Sequence, residues 1–326
     1  MRKLREIFLQ RKAEEAKSIP SKVFFNHFFA ILYCISCNED RYKLKKVPYY
    51  NGLKIQNSDF DLNQVRKLLW NSWSTEYAYR IGEKIDNEEY YKFSLHWNFP
   101  QAYYSAYLSM TAFHETQGIA NDQHEKSIKL FGNSIKDKHY PLAISFHTTG
   151  SKDDFKYFYL SSFKGFPKDN SALTKIDCLE DAELQLATFL KTTRKQNAND
   201  KRERFKKQND KRFHNSKNEF RKAFNKNHWD IIYTTIPVTS VFNLLYRLRI
   251  KANYRDIESF INADIDFKSF HSSLGDLISY MNFIHEAYIA KAIGIKEYEK
   301  ILNDFPSHLN DNTAIKRFKE NIEPLK

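Results

Sequence analysis

Apolar positions along the chain recur mostly at helical spacing and switch to strand spacing in one place only. The first 20 residues, MRKLREIFLQRKAEEAKSIP, carry charges at helical spacing, and Ser18-Ile19-Pro20 reads as a stop. An apolar helix follows near 21–37, then a polar connection over 38–57 containing Pro48 and Gly52. DFDLNQVRKLLWNSWSTEYAYRIGEKI predicts a helix near 62–85 with Asp61 as its N-cap. QAYYSAYLSMTAFHETQG, residues 101–118, predicts a helix closed by Gly118 with Ile119 packing back, and a short helix follows at 121–136. LAISFHTT and FKYFYLSSF are β-branched and aromatic runs around a turn sequence, which predicts a hairpin. LEDAELQLATFLKTTRK returns to helical spacing. Further helices are expected at 238–262 and 274–293, and IKEYEKILNDF closes before Pro306.

On the wheel of the 101–118 helix, Ala102, Ser105, Ser109 and Ala112 form a small-residue ridge that lets another helix approach closely. Tyr103, Tyr107, Met110 and His114 form a bulky ridge beside it. With 41% hydrophobic and 16% aromatic residues among 326, the chain has ample material for a core. Only 8 Gly and 8 Pro occur, where about 20 of each is average, which disfavours a turn-dense sandwich or barrel. The fold class is therefore mainly α, a helical bundle with a small β-hairpin insertion and additional N- and C-terminal helices. Its expected segments are 1–60, 61–136, an insertion over 137–235, and a completion of the bundle over 236–326.

Three cysteines, Cys34, Cys37 and Cys178, make no disulfide framework, and together with the lack of a cleavable signal they point to a cytoplasmic protein. VFFNHFFAILYCISC, residues 23–37, is shorter than the roughly 20 residues a bilayer needs and contains Asn26 and His27, so it reads as a buried helix rather than a membrane contact. No zinc spacing, phosphate-binding glycine loop, nucleophile elbow or carboxylate cluster stands out. Neither metal nor cofactor is expected. Asp59 and Asp61 are explained by a helix cap, and His285 with Glu286 reads as core or surface.

Charge changes the picture because it is localised. Of the net +12, the stretch from Lys191 to His228 contributes +10, from 14 Lys or Arg against 4 Asp or Glu. A concentrated patch implies a polyanionic partner. Arg202, Arg204, Lys206, Lys207, Lys211 and Arg212 are its candidate nucleic-acid contacts. Phe205, Phe213, Phe220 and Phe224 fall at spacings that share one helical face, which predicts a docked basic helix. On the 238–262 helix, Arg247, Lys251 and Arg255 recur every four residues opposite Val241, Leu244, Leu248 and Ala252. Such a like-charged stripe would be relieved by an anion. Arg249 lies beside it.

AYYSAYLSMTAFHETQGIANDQHEKSIKLFGNSI resembles the central signature of HEPN-domain proteins, through Ala102, Tyr103, Tyr104, Gly118, His124 and Phe131. LLYRLRIKANYRD is similar to the end of the last core helix in one branch of that family, with Arg249, Ala252, Asn253 and Tyr254 in the matching order. The likeness spans four helices and about 80 residues, interrupted by some hundred that hold the hairpin and the basic segment. It implies an up-and-down bundle that dimerises, found in toxins, CRISPR ribonucleases and phage defence. Active members of the family cleave RNA without metal, using an Arg and a His with four to six residues between them, paired across the dimer. RNA is then the favoured partner, followed by a second copy or another protein of a defence system.

Arg221 is the one arginine with a histidine, His228, at that spacing. On a helix the two would share a face, Arg221 steadying phosphate charge and His228 moving a proton. Chance alone yields about 1.5 such pairs in this composition, and the pair sits in the basic insertion rather than in the last core helix. At Arg249 the following residues include Asn253 and no histidine, which implies a degenerate member. His124 reads as a structural, loop-capping residue. A metal-independent ribonuclease and a non-catalytic subunit docking on an effector are both compatible with these features.

Overall fold

The computed structural model describes residues 2–55, 60–120, 123–167, 175–252, 260–309 and 312–325, with side chains from Ile19 onward except Lys251. Helix α1 (Arg2–Cys37) runs through Pro20, so the expected stop does not occur. A helical proline removes one backbone donor, but the apolar face that follows it holds the helix by tertiary packing. That face contributes Phe24, Phe25, Phe28 and Ile31 to the core, and the Phe25 and Phe270 rings lie 4.4 Å apart edge to face. Ile19–Cys37 is long and apolar enough to cross a membrane, and here about 44% of that stretch is buried inside the fold. The connection after it contains the short helix α2 (Pro48–Gly52), started by Pro48 at its first position.

Helix α3 (Leu62–Ile85) has the predicted bounds, and Asp61 caps it by accepting the Asn63 N–H at 2.9 Å. The short α4 (Glu88–Phe93) leads into α5 (Leu95–Thr116), the helix opened by sequence at 101. Gly118 takes the left-handed conformation at φ +67° and closes α5 as predicted. Its N–H donates to Glu115 O at 2.9 Å and that of Ile119 to His114 O at 3.0 Å. After α6 (His124–Lys136) come β1 (His147–Ser151) and β2 (Asp154–Phe158), the expected hairpin. Gly150 is required at φ +88°, because a Cβ there would meet the Asp154 carbonyl oxygen at 2.1 Å. Past α7 (Leu179–Lys207) and α8 (Lys226–Thr234), a two-residue strand β3 (Thr239–Ser240), too short to register as a period, completes a sheet ordered β2-β1-β3.

Helices α9 (Val241–Ala252), α10 (Phe267–Ile293), α11 (Ile295–Asn303) and α12 (Thr313–Arg317) complete the bundle. The expected 238–262 helix begins later than predicted because residues 239–240 pair with β1, and its 253–259 stretch lies outside the described residues. The architecture is a helical bundle with a small antiparallel sheet.

α5 is the axle, packed against α3, α9 and α10. Its small ridge, Ala102, Ser105, Ser109 and Ala112, is fully buried. Ser72 Oγ donates to the Ser105 carbonyl at 2.8 Å, and Ser105 Oγ to the Ser72 carbonyl at 3.2 Å, so the α3 and α5 backbones nearly touch. A polar network threads the core beside this contact. Arg317 donates to Glu286 at 2.6 and 3.0 Å and to Glu76 at 3.1 Å. Trp73 Nε1 and Tyr298 Oη also donate to Glu286, at 2.9 and 2.8 Å. Asn282 Nδ2 donates to Glu76 at 2.8 Å, Ser109 Oγ donates to Asn282 Oδ1 at 2.8 Å, and His285 and Tyr140 continue the chain at 3.0 Å per step. His285 and Glu286 are thus core residues.

A second, smaller core gathers Ala198, Phe205, Phe213, Ile232, Tyr233 and Ile236, with Phe220 and Phe224 packed on it. The four phenylalanines do not share one helix. α7 ends at Lys207, Asn209 just beyond it adopts φ +53°, and the Asp210 N–H donates back to Phe205 O at 3.1 Å. Asn-Asp is a helix stop here, and the rings meet because the chain folds back over residues 211–225.

Two stability outcomes follow. Arg317→Met leaves Glu76 and Glu286 buried without their cation and should cost about 3–5 kcal/mol, read as a lowered denaturant midpoint. An unchanged midpoint would contradict the network. Burial holds His27 and His285 down to about 3, and His114 and His271 down to about 4. Above pH 6.5 both folded and unfolded chains carry these rings neutral. Below it the unfolded chain takes up protons that the folded chain refuses, so stability falls from about pH 6.5 to pH 4, by up to about 1.4 kcal/mol per pH unit per histidine. Denaturant midpoints at pH 7.5, 6 and 5 check this; a flat profile would refute it.

Candidate nucleic-acid interface

The sequence-predicted pair does not form a helical face. Arg221 lies in the irregular stretch before α8, its Nε donating to the His214 carbonyl at 3.0 Å. His228 sits in the first turn of α8 and closes a capping box with Asn225. The His228 N–H donates to Asn225 Oδ1 at 3.0 Å, and the Asn225 N–H to His228 Nδ1 at 3.3 Å. His228 also packs against Phe224, ring centres 5.3 Å apart. The shared-face premise fails because the helix begins only at Lys226, five residues past Arg221. No hydrogen bond joins the two residues among those described.

Several of the basic candidates hold the fold together. Arg202 donates to the Lys222 carbonyl at 2.9 Å and lies 4.9 Å from the Phe224 ring centre. Arg212 grips Asp210 with both ends of its guanidinium, at 3.1 and 2.7 Å. Arg247 turns inward instead of extending a surface stripe, and donates to Thr193 Oγ1 at 2.7 Å. Lys206, Lys207 and Lys211 are exposed around the end of α7. Arg204 forms a two-pronged pair with Glu125 at 2.6 and 3.1 Å, tying α7 to α6, and this pairing holds the Glu125 carboxyl below its ordinary range. The Lys251 side chain and Arg255, with Asn253 and Tyr254, lie outside the described residues.

A different constellation emerges where α5, α6 and α9 meet. His124 starts α6 without capping it and is surrounded by four tyrosine rings. Tyr107 is 4.8 Å away by ring centre, Tyr103 5.4 Å, Tyr104 6.0 Å and Tyr246 6.1 Å. Tyr103 Oη and His124 Nδ1 are 2.7 Å apart. Arg249 donates from Nε to Tyr104 Oη at 3.0 Å and spreads its guanidinium near the Tyr104 and Tyr246 rings, 5.7 and 5.9 Å from their centres. Burial, and then the Arg249 charge, lower the His124 pKa, so the ring is neutral at pH 7. Burial raises the Tyr103 hydroxyl well above its ordinary value, which keeps it protonated. His124 Nε2 has no partner among the described residues.

This cluster adjoins a groove of about 520 Å³ between α6, α7 and α9. Tyr246 belongs to both. Lys126, Lys129, Lys201 and Arg204 line the groove against Glu125 and Asp200, a net positive balance. Among the described residues no group of three or more His, Cys, Asp or Glu is arranged to hold a metal. The arrangement offers aromatic faces for stacking, a guanidinium for a phosphate and a neutral imidazole beside it.

The sequence carried the parts without their meeting. Tyr103, Tyr104, His124 and Arg249 are four positions of the HEPN resemblance, yet Arg249 is 145 residues from Tyr104. His124 read as a loop cap because nothing local linked it to an arginine. No family model, curated protein or solved structure matches this chain.

The geometry gives a spectroscopic outcome. Replacing Arg249 with Gln removes a positive charge facing the His124 ring, so the His124 titration followed by NMR should move upward toward the ordinary value of 6.5 while burial keeps it below. A midpoint that stays in place would mean that the guanidinium does not act on the ring.

Proposed function

We propose that this chain is an RNA-binding protein of HEPN-like type, with the Tyr104–His124–Arg249 cluster as its RNA contact. The observation that carries the reading is the single hydrogen-bonded meeting of Arg249 with Tyr104 beside His124, at the mouth of a basic groove. Single-stranded RNA is recognised by stacking of splayed bases on aromatic rings, together with phosphate contacts. The half-buried Tyr104 and Tyr246 rings and Arg249 supply both, and Lys206, Lys207 and Lys211 add exposed positive charge around the end of α7.

The same site has the groups for metal-independent cleavage. With His124 donating a hydrogen bond from Nδ1–H to the Tyr103 oxygen, the Nε2 lone pair is left to take the proton of a ribose 2′-hydroxyl as that oxygen attacks the phosphorus. The bond to the 5′-oxygen breaks, the leaving oxygen takes a proton from water, and a 2′,3′-cyclic phosphate remains. Arg249 then steadies the charge that builds on the phosphate oxygens. A toxin or phage-defence setting, dimerisation and a defence-system partner belong to the same reading and come from the resemblance. The second reading, a non-catalytic subunit docking on an effector, is favoured by one feature: the residues after Arg249 offer no histidine at the spacing used by active members.

Labelled single-stranded RNA and DNA incubated in EDTA test both. Wild type should bind RNA with an affinity that falls steeply with salt, and Arg249→Ala should weaken it about tenfold. RNA cleavage abolished in His124→Ala and Arg249→Ala, but retained in correctly folded Arg221→Ala, establishes the nuclease. Binding without cleavage leaves the docking subunit, and salt-insensitive or absent binding refutes the RNA contact.

A further inference from the structure

The groove beside the Tyr104–His124–Arg249 cluster is built for more than phosphate. One wall is α9, which presents Asn243, Tyr246 and Ile250 at helical spacing. Ile128 of α6 and the 235–237 turn add apolar surface, while Lys129 and Lys201 stand at the opening with no ion-pair partner among the described residues. A volume of about 520 Å³ lies within the usual range of a small-ligand pocket.

Asn243 is the polar group in this lining whose orientation is set. It is 6% exposed, and its Oδ1 accepts the Ser240 N–H at 2.8 Å. That bond fixes which end of the amide is oxygen, so the Nδ2 donors face away from Ser240. Nδ2 has no partner among the described residues. The side chain is nearly buried but its Nδ2 stays open to solvent, so Asn243 offers the groove a donor of fixed direction that favours an acceptor on whatever enters. Asn197, half-buried across the groove on α7, has no set orientation and adapts to either kind of edge.

We propose that the groove receives one unpaired base of a bound RNA with purine C6 or pyrimidine C4 facing Asn243, and that Asn243 selects a base bearing a carbonyl at that position, guanine or uracil. Adenine and cytosine carry an amino group at that position, which sets donor against donor. The base lies between Ile250 and the Ile236–Pro237 turn, and its phosphate points toward the lysines at the opening. This proposal rests on the RNA reading of the neighbouring cluster, because the base enters from a strand held there.

The test is fluorescence anisotropy of the full chain in EDTA with labelled octamers of uridine, cytidine and adenosine, and an adenosine octamer carrying one central guanosine. Wild type should bind the uridine octamer, and the guanosine-bearing one, about tenfold tighter than the cytidine and adenosine octamers. Asn243→Asp keeps the acceptor for the Ser240 N–H and removes the donor, so the uridine-to-cytidine ratio should fall to one or invert, whatever the added charge does to both affinities. Ile250→Glu, at a wall position 39% exposed and safe for folding, should also lower the ratio by excluding the base. Equal wild-type affinities, or a ratio unmoved in Asn243→Asp, overturn the base selection while leaving the RNA contact standing. Failure of every octamer to bind overturns both.

Discussion

The cation of Arg317, seated between Glu76 and Glu286, is the interaction on which the bundle's geometry depends. Both carboxylates are buried, Glu286 completely. Two anions removed from water at such proximity are tolerable only with a cation between them and their remaining lone pairs satisfied. Trp73, Tyr298 and Asn282 provide those extra donors. The arrangement therefore locks together α3, which carries Glu76, α10, which carries Glu286, and the C-terminal α12. An apolar substitute of equal volume would pack these helices with less directional demand. The charged version accepts one register of α3 against α10.

That register reaches the candidate site through α5. Ser105 bonds across to Ser72 and Ser109 to Asn282, so the small ridge of α5 is held between α3 and α10. On the opposite side of the same helix, Tyr103 and Tyr104 project toward α6 and α9. A helix pinned on one face by short polar contacts cannot rotate to relax the other, which is the kind of support a preorganised site needs. The closing hydrogen bonds at Gly118 and Ile119 then set the direction in which the chain leaves toward His124.

Electrostatics in the basic region follow the same economy. Arginines that looked available as phosphate contacts are mostly committed: Arg202 to a carbonyl, Arg204 to Glu125, Arg212 to Asp210, Arg247 to Thr193. Arginine's planar fork suits such fixed pairings, whereas a flexible ammonium keeps its hydration at the surface. Net charge in a sequence window measures neither.

Local physics made much of the fold legible. The bounds of α3, its Asp61 cap, the Gly118 closure and the β1–β2 hairpin depend on neighbours a few residues away, where spacing, capping and turn chemistry operate. The buried ridge of α5 was also readable, since helical period alone places Ala102, Ser105, Ser109 and Ala112 on one face. Where spacing was asked to speak for distance, it failed. Phe205, Phe213, Phe220 and Phe224 share a period but meet through a fold-back after Asn209, and Arg221 with His228 shares a spacing but not a helix. The Tyr104–Arg249 and Arg317–Glu76 contacts join residues 145 and 241 apart in the chain. By itself the sequence determined where helices and the hairpin form, because those choices are made by backbone hydrogen bonding and side-chain period within a few turns. Only the tertiary structure decided which arginines face solvent, which are consumed in packing, and which one meets the histidine, because those outcomes depend on helices brought together by burial of their apolar faces.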